Sequence, residues 1–170
     1  MNEDHAKEFL AAADMLIGKT CWGIVAGANT GSVLDLHLGQ KLLRRHPVAN
    51  PALSADLRQY RGELAVFIQC AWRLEDKEKV ICSWGEDFSD GGPLRKGINL
   101  FLNQDVEHVD IRRPSFDLTL YFRNSLTLQV FCDQTELSEE HGMNYVLFAP
   151  GYSYTVATRS QLVREERTAR

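Results

Sequence analysis

Apolar residues alternate with polar ones in short runs along most of the chain, a period of two that is typical of β-strands. The longest run is Gly62–Gly85, in which the charged segment Glu75–Lys79 separates two alternating arms. This pattern predicts a β-hairpin with Cys70 opposite Cys82, because that register keeps the apolar side chains of both arms on one face. We expect the hairpin to be a buried, central element of the fold.

A second hairpin is predicted over Phe116–Asp133. A three-residue loop, 123–125, places Leu120 opposite Leu128, whereas a two-residue loop places it opposite Gln129. The match of apolar with apolar side chains favours the three-residue loop.

Three other segments depart from strand periodicity. Residues 3–17 and 94–102 each carry an apolar stripe at helical spacing. Gly97 lowers the helix propensity of the second segment by about 1 kcal/mol relative to alanine. Residues 46–61 contain two prolines and no alternation, which predicts a surface excursion with a short helix at Ser54–Tyr60.

These elements together predict an α+β fold that is mainly β. We expect a strongly curved antiparallel sheet or barrel of about eight to ten strands, with an N-terminal helix and one inserted helix. The simplest organisation is a single domain over residues 1–170. Within it we place a helix at 3–17, an antiparallel β domain over 22–158 with the inserted helix at 94–102, and a charged, frayed tail over 163–170.

Composition and charge narrow the class of protein. The formal net charge is −4 and no basic stripe is evident, so a nucleic-acid partner is not expected. The opening residues Asn2–His5 are polar and acidic, unlike a secretory signal, and no apolar run approaches the roughly 20 residues of a membrane span. We therefore expect a cytoplasmic protein that does not contact membranes and whose four cysteines are thiols.

No motif for catalysis, a cofactor or a metal is recognisable. None of Cys21, Cys70, Cys82 and Cys132 forms a Cys-x-x-Cys pair, so the usual zinc spacing is absent. The segment Gly27–Ser32 lacks the Gly-Lys-Ser/Thr ending of a nucleotide-binding loop and precedes a strand, which favours a turn. We expect no cofactor, no metal and no catalytic residue; the alternative is an active site assembled from distant residues.

Two groups of polar residues are candidates for binding. Asp35 and His37 share the polar face of one strand, where they are either a ligand-binding or proton-relay pair or an exposed polar pair. The acidic loop with Glu86, Asp87 and Asp90 suits a basic partner, or is simply solvated.

The outward face of the second hairpin is a third candidate. It presents Tyr121, Arg123 and Phe131 among polar side chains. Tyrosine, phenylalanine and arginine are enriched in protein interfaces, so this face is a predicted partner-binding surface. The alternative is that the N-terminal helix or residues 46–61 cover it.

Several segments resemble small uncharacterised bacterial domains that are found beside polymorphic toxins as immunity proteins. The resemblance spans about residues 20–158 and is carried by Trp22, the turn at Gly27–Ser32, Leu34-x-Leu36-x-Leu38-Gly39, Cys70-Ala71-Trp72-Arg73-Leu74-Glu75, Asp117-Leu118-Thr119-Leu120, Leu126-x-Leu128-x-Val130-Phe131 and Tyr145-x-Leu147-Phe148. It implies that the protein binds and inhibits a toxin, and it carries over no catalytic residues. The weak acidity of the chain departs from the strongly acidic immunity proteins that bind nucleases.

The sequence therefore predicts a non-enzymatic, cytoplasmic protein-binding domain, and the resemblance implies that it is an immunity protein. One alternative is a small-molecule-binding β-barrel or unrecognised enzyme whose mouth is lined by Trp22, Trp72 and Trp84. A further alternative is a structural homodimer formed through sheet edges or faces.

Overall fold

A computed structural model describes residues 3–26, 33–86, 88–89, 91–134 and 142–167. These residues form three α-helices and eleven β-strands. The helices are α1 (Glu3–Asp14), α2 (Ala55–Gln59) and α3 (Pro93–Asn99). The strands are β1 (Thr20–Val25), β2 (Leu34–Leu43), β3 (Tyr60–Ile68), β4 (Ala71–Glu75), β5 (Val80–Ser83), β6 (Gln104–Arg112), β7 (Asp117–Phe122), β8 (Thr127–Phe131), β9 (Met143–Ala149), β10 (Tyr152–Ala157) and β11 (Leu162–Glu166).

All the described strands belong to one antiparallel sheet in the order β11-β10-β9-β3-β2-β1-β6-β7-β8-β4-β5. The order has two ends, so the sheet is open and does not close into a barrel. Strands β3 and β4 are six positions apart, yet only Gln69 and Cys70 connect them. Six strand spacings amount to about 29 Å, whereas the connection spans at most about 11 Å. The sheet must therefore curl strongly. This agrees with the predicted strongly curved antiparallel sheet and not with the alternative of a barrel.

The curled sheet encloses a continuous hydrophobic core into which α1 packs. The ring of Phe9 on α1 lies 5.7 Å from that of Phe116 and 5.9 Å from that of Tyr154. The Tyr145 hydroxyl on β9 donates a hydrogen bond of 2.9 Å to the carbonyl oxygen of Phe116. These contacts join β9 and β10 to the turn between β6 and β7. Buried side chains of the described residues from α1 and from both ends of the sheet meet in this interior.

Helix α1 ends at Asp14, earlier than the predicted residue 17. The next three residues continue with i→i+3 hydrogen bonds, and Gly18 follows with φ of +78°, which is how many helices terminate. Ile17 is 43% exposed and does not belong to the buried stripe. None of the helices in the described ranges is long and apolar enough to cross a membrane.

Helix α3 is shorter than the predicted 94–102, and Gly97 has a packing role in it. A Cβ atom built on Gly97 would overlap the sulfur of Cys82 and lie 3.0 Å from its Cβ. The glycine therefore permits a close contact between α3 and β5 that a larger residue would block. This contact offsets the loss of helix propensity.

The short helix predicted within residues 46–61 is present as α2. The Oγ atom of Ser54 accepts a hydrogen bond of 3.3 Å from the N–H of Leu57, which caps the helix N-terminus. Leu57 is buried beneath the excursion.

The predicted register of the first hairpin is wrong. Its first arm consists of two strands, because the N–H groups of Gln69 and Cys70 both bond to the carbonyl of Asn144, at 2.8 and 3.1 Å. This junction ends β3 and starts β4. In the pairing of β4 with β5, Leu74 rather than Cys70 lies opposite Cys82.

The turn at Asp76 explains the observed register. Its carboxylate accepts hydrogen bonds from the N–H groups of Glu78 and Lys79, at 2.8 and 2.9 Å. Aspartate commonly fixes a tight turn in this way, and the two arms pair from there. Trp72 is fully buried and Trp84 is 47% exposed, so the tryptophans do not line a common mouth.

The predicted register of the second hairpin is confirmed. Leu120 lies opposite Leu128, and the N–H of Phe122 donates to the carbonyl of Leu126 at 2.8 Å. Ser125, the last loop residue, has φ of +66°. A left-handed residue at this position is characteristic of three-residue hairpin loops.

The predicted fraying of the tail is wrong for residues 163–166, because they belong to β11, which pairs with β10. Arg164 holds this strand in place. Its guanidinium lies 3.8 Å from the ring centroid of Tyr152, and its Nε atom lies 3.0 Å from Oε2 of Glu8. A charged edge strand of this kind also discourages pairing with other chains.

Candidate functional site

Asp35 and His37 lie on β2, just before a bulge in its pairing with β3. His37 is only 5% exposed, and its Nδ1 atom accepts a hydrogen bond of 3.1 Å from the N–H of Gly62. Gly62 leaves no space for a side chain, because a Cβ atom there would lie 2.7 Å from the backbone nitrogen of Leu38. The alternative of an exposed polar pair is therefore wrong for His37.

The hydrogen bonds of His37 restrict its chemistry. Since Nδ1 accepts a hydrogen bond, the neutral ring carries its proton on Nε2, which lies 3.4 Å from Oδ2 of Asp35. The ring of Trp22 stacks on the imidazole with 5.5 Å between centroids. Both nitrogens are occupied, so neutral His37 offers no lone pair to a substrate and is unsuited to act as a general base. We assign it a structural role at the bulge.

A groove lined by arginines opens beside this pair. We call it the arginine groove and define it by Arg44, Arg45, Arg61 and Arg167. It consists of three adjoining depressions of about 420, 190 and 170 Å³, and each includes Arg61 and Arg167. The smallest depression reaches the carboxylate of Asp35. Strand pairing thus brings the ends of β2, β3 and β11 to one site.

Contacts with the backbone and an aromatic ring orient two of these arginines. The Nε atom of Arg44 donates to the carbonyl of Tyr60 at 3.0 Å. The Nη1 atom of Arg167 donates to the carbonyl of Ala149 at 3.4 Å, and its guanidinium lies 4.8 Å from the ring centroid of Phe148. The two guanidinium groups are therefore anchored within the groove.

The groove concentrates positive charge in an acidic chain. The pKa of Arg44 is lowered, mainly by burial. Asp35 opposes this change, and the charge of Arg61 adds to it. Burial and Arg61 also lower the pKa of Arg167. Within the described ranges, no carboxylate forms an ion pair with an arginine of the groove. Among the described residues these arginines thus repel one another, and Asp35 compensates that repulsion only in part.

The second candidate surface is the outward side of the second hairpin, which we call the outer face. Its members are Asp117, Thr119 and Tyr121 on β7 and Thr127, Gln129 and Phe131 on β8. Tyr121 is 38% exposed, and its ring lies 5.6 Å from that of His108. The structure leaves Tyr121 open to solvent, contrary to the alternative that α1 or residues 46–61 cover this face.

Strand β4 extends the outer face with a network of fixed side chains. The Nη2 atom of Arg73 donates to Oε1 of Gln129 at 3.1 Å, and Gln129 in turn donates to Glu75. Arg73 also forms an ion pair of 2.9 Å with Glu75, and its guanidinium lies 5.2 Å from the ring centroid of Phe131. The network holds these side chains in one arrangement.

Of the other predicted partner-binding residues, the structure describes Arg123, at the margin of the outer face, and Glu86. Arg123 follows β7, and its Nη1 atom lies 3.6 Å from Oδ2 of Asp105. Glu86 is exposed just beyond β5, where its Oε2 atom accepts a hydrogen bond of 2.7 Å from the N–H of Ser83. Three predicted positions lie outside the described residues: Asp87, Asp90 and the turn at 27–32.

The cysteines are free thiols in environments that suppress reactivity. Burial raises the pKa of Cys21 and Cys82 to about 12. The pKa of Cys132 is also raised, first by a hydrogen bond with Cys70 and then by burial. Cys70 therefore neighbours Cys132 rather than Cys82. Because the thiolate is the nucleophilic form, the raised pKa values make Cys21, Cys82 and Cys132 unsuited to covalent catalysis. The described residues contain no cluster of three or more metal-ligating side chains.

A wider depression of about 810 Å³ lies between α2 and α3, with Ile24, Leu57 and Ile98 in its wall. Its lining also includes Ala26 and Phe88, which adjoin residues that the structure does not describe. We assign no ligand to it.

The arginine groove is not predictable from the periodicity of the sequence. A local signal exists in the run Lys41–His46, which combines basic residues with exposed Leu42 and Leu43. Nothing local indicates that Arg61 and Arg167 join this run, because strand pairing alone brings them there.

Comparison of the chain with protein families, with curated proteins and with solved structures found no match. The resemblance to immunity proteins therefore stays a prediction.

Proposed function

We propose that this protein is a non-enzymatic protein-binding domain that contacts its partner through the outer face. The observation that carries this proposal is the exposure of Tyr121 on a sheet face whose neighbouring side chains are already fixed. The sequence resemblance supports a toxin as the partner, which would make the domain an immunity protein.

The described residues favour binding over catalysis. The imidazole of His37 has both nitrogens engaged. The raised pKa values of Cys21 and Cys82 keep their thiols protonated near neutral pH. Nucleophilic catalysis needs an activated nucleophile beside a base, and these residues provide neither.

The outer face has the composition and rigidity of a binding surface. Tyrosine and arginine dominate interface hot spots, because they bury large areas and retain a polar group. Arg73 is held by Gln129 and Glu75 and lies close to the ring of Phe131. A partner would therefore order few side chains on this surface, which reduces the entropic cost of association.

The two sheet edges are less suitable for binding. Strand β5 has only four residues, and β11 exposes Glu165 and Glu166 beside Arg164. Short or charged edges resist the addition of another strand. This argues for contact through the sheet face and against a homodimer formed by edge pairing.

The proposal is tested by affinity capture from the source cells, followed by measurement of Kd with the purified partner. Truncating a hot-spot side chain costs about 2 kcal/mol, so Tyr121→Ala and Phe131→Ala should each weaken binding about 30-fold. Val163→Ala is the matched control, because Val163 is 42% exposed on β11, away from the outer face.

The control variant should bind with wild-type affinity. Unchanged affinity after both Tyr121→Ala and Phe131→Ala would exclude the outer face. Recovery of no partner despite high expression would count against a protein-binding function altogether.

A further inference from the structure

The arginine groove contains more positive charge than its surroundings neutralise. The described carboxylates that line the groove are Asp35, whose Oδ2 atom faces His37, and Glu63, whose Oε2 atom lies 3.0 Å from Nζ of Lys19. With Glu63 engaged by Lys19, Asp35 is the remaining carboxylate among the described residues that line the groove. The groove therefore has a net charge of about +3 near neutral pH.

This arrangement destabilises the unliganded fold. Arg44, Arg61 and Arg167 are half-buried, so water screens their repulsion less than it would at an exposed site. Clusters of perturbed, unneutralised charge are found disproportionately at functional sites. An anion in the groove would remove the repulsion.

We propose that the arginine groove binds the phosphate group of a small phosphorylated molecule that also carries hydroxyl groups. A phosphate monoester has a charge of about −1.5 to −2 at neutral pH and three acceptor oxygens. Planar guanidinium groups bind such oxygens bidentately. A single carboxylate neutralises less of the charge, and the depression of about 420 Å³ between Arg45 and Arg61 is large enough for a small ligand.

Asp35 supplies the second point of recognition. Its Oδ1 atom is buried and has no hydrogen-bond partner among the described residues. The side chain lies in the wall of the smallest depression, together with Arg44 and Arg61. A buried acceptor without a donor is costly, and a hydroxyl on the ligand provides that donor. The phosphate therefore belongs in the larger depression, with the hydroxyl directed toward Asp35.

A nucleic acid is a poorer match for the groove. The chain has a net charge of −4 even when the arginines of the groove are counted. The surface outside the groove is therefore more acidic still, and it would repel the neighbouring phosphates of a polymer.

Isothermal titration calorimetry at low salt tests the phosphate assignment with three probes: inorganic phosphate, glucose 6-phosphate and glucose. We expect saturable, single-site binding of both phosphates, tighter binding of glucose 6-phosphate and no binding of glucose. Arg61→Gln should weaken both phosphates by about tenfold to a hundredfold. Arg123→Gln is the matched control, because it removes an arginine at the margin of the outer face, and it should bind like the wild type.

Asp35→Asn tests the second point of recognition. It should leave inorganic phosphate binding unchanged or tighter, because a negative charge is removed, and it should reduce the preference for glucose 6-phosphate. Circular dichroism establishes that each variant is folded, and Arg167→Gln replaces Arg61→Gln if the latter does not fold.

Several results would overturn the assignment. One is the absence of saturable binding of either phosphate at millimolar concentration, and another is equal affinity in Arg61→Gln and the wild type. Tighter binding of citrate or of a single-stranded oligonucleotide than of glucose 6-phosphate would assign the groove to a different anion. None of these outcomes bears on the outer face, so the two proposals fail separately.

Discussion

Replacing Tyr145 with phenylalanine removes one oxygen atom from the centre of the fold and retains the ring. The hydroxyl donates a hydrogen bond of 2.9 Å to the carbonyl oxygen of Phe116, which lies across the curled sheet. Both residues are fully buried. Phe116 has φ of +62°, a conformation that bulky residues rarely adopt. The Tyr145 hydroxyl thus satisfies a buried carbonyl and helps to hold a strained residue.

The expected loss of stability depends on which hydrogen-bond donors the carbonyl of Phe116 retains in the variant. A buried acceptor that loses its partner costs about 1–3 kcal/mol. The Cys132 thiol also donates to the carbonyl of Phe116, at 3.4 Å, but a thiol is a weak donor. We therefore expect Tyr145→Phe to lower the free energy of unfolding by about 1.5–2 kcal/mol. The corresponding fall in Tm is about 3–8 °C for a domain of this size.

Equilibrium urea unfolding followed by far-UV circular dichroism measures the difference. Tyr121→Phe is the matched control, since Tyr121 is 38% exposed, and it should change stability by less than about 0.5 kcal/mol. If Tyr145→Phe were as stable as this control, the hydrogen bond across the curled sheet would not stabilise the fold and our account of the curl would need revision.

The difference in stability between the wild type and Tyr145→Phe should depend on pH. Burial raises the pKa of the Tyr145 hydroxyl, and the nearby Cys132, Cys70 and Asp117 raise it further. An unfolded tyrosine ionises near pH 10, so this contribution to stability is complete below about pH 10 and is lost as the pH rises toward the folded pKa. The stability advantage of the wild type over Tyr145→Phe should therefore shrink above about pH 10. A difference that is constant with pH would contradict this assignment.

Three further predictions follow from glycine packing, thiol burial and the arginine groove. Gly62→Ala should destabilise the fold by at least about 2 kcal/mol in urea unfolding, because its Cβ would meet the backbone of β2. The control is Gly142→Ala, which should be nearly neutral because a Cβ at Gly142 would lie in open space. Cys21 and Cys82 should resist iodoacetamide at about pH 8 in the native state and react after unfolding, as counted by mass spectrometry; native labelling would contradict their burial. Arg61→Gln should raise the Tm of the unliganded protein by about 1–4 °C at low salt and by less at high salt; a lower Tm would show that the groove is not under repulsion.

The two hairpins show why sequence periodicity decides some registers and not others. The second hairpin has two plausible loops, of two and three residues. Only the three-residue loop places Leu120 opposite Leu128. The first hairpin was ambiguous, because registers that differ by four residues keep the same faces together. Its outcome depends on Asp76 at the turn and on Asn144, which lies far along the chain. Local alternation contains no information about such a partner.

The two candidate sites also differ in how well the sequence predicts them. Tyr121 and Phe131 share a face because alternation along paired strands requires it, so the sequence predicts that both belong to the outer face. The arginine groove depends on the pairing of β2 with β3 and on the position of β11 in the sheet. Periodicity does not determine strand order, so Arg167 could not be placed beside Arg44 from the sequence.

Parallel affinity capture with three baits tests the proposal that the outer face binds a protein partner. The baits are the wild type, the double variant Tyr121→Ala/Phe131→Ala and Arg61→Gln. We predict that one partner is recovered with the wild type and with Arg61→Gln, that it binds the purified wild type directly, and that the double variant loses it. Equal recovery of that partner with the folded double variant would contradict the claim.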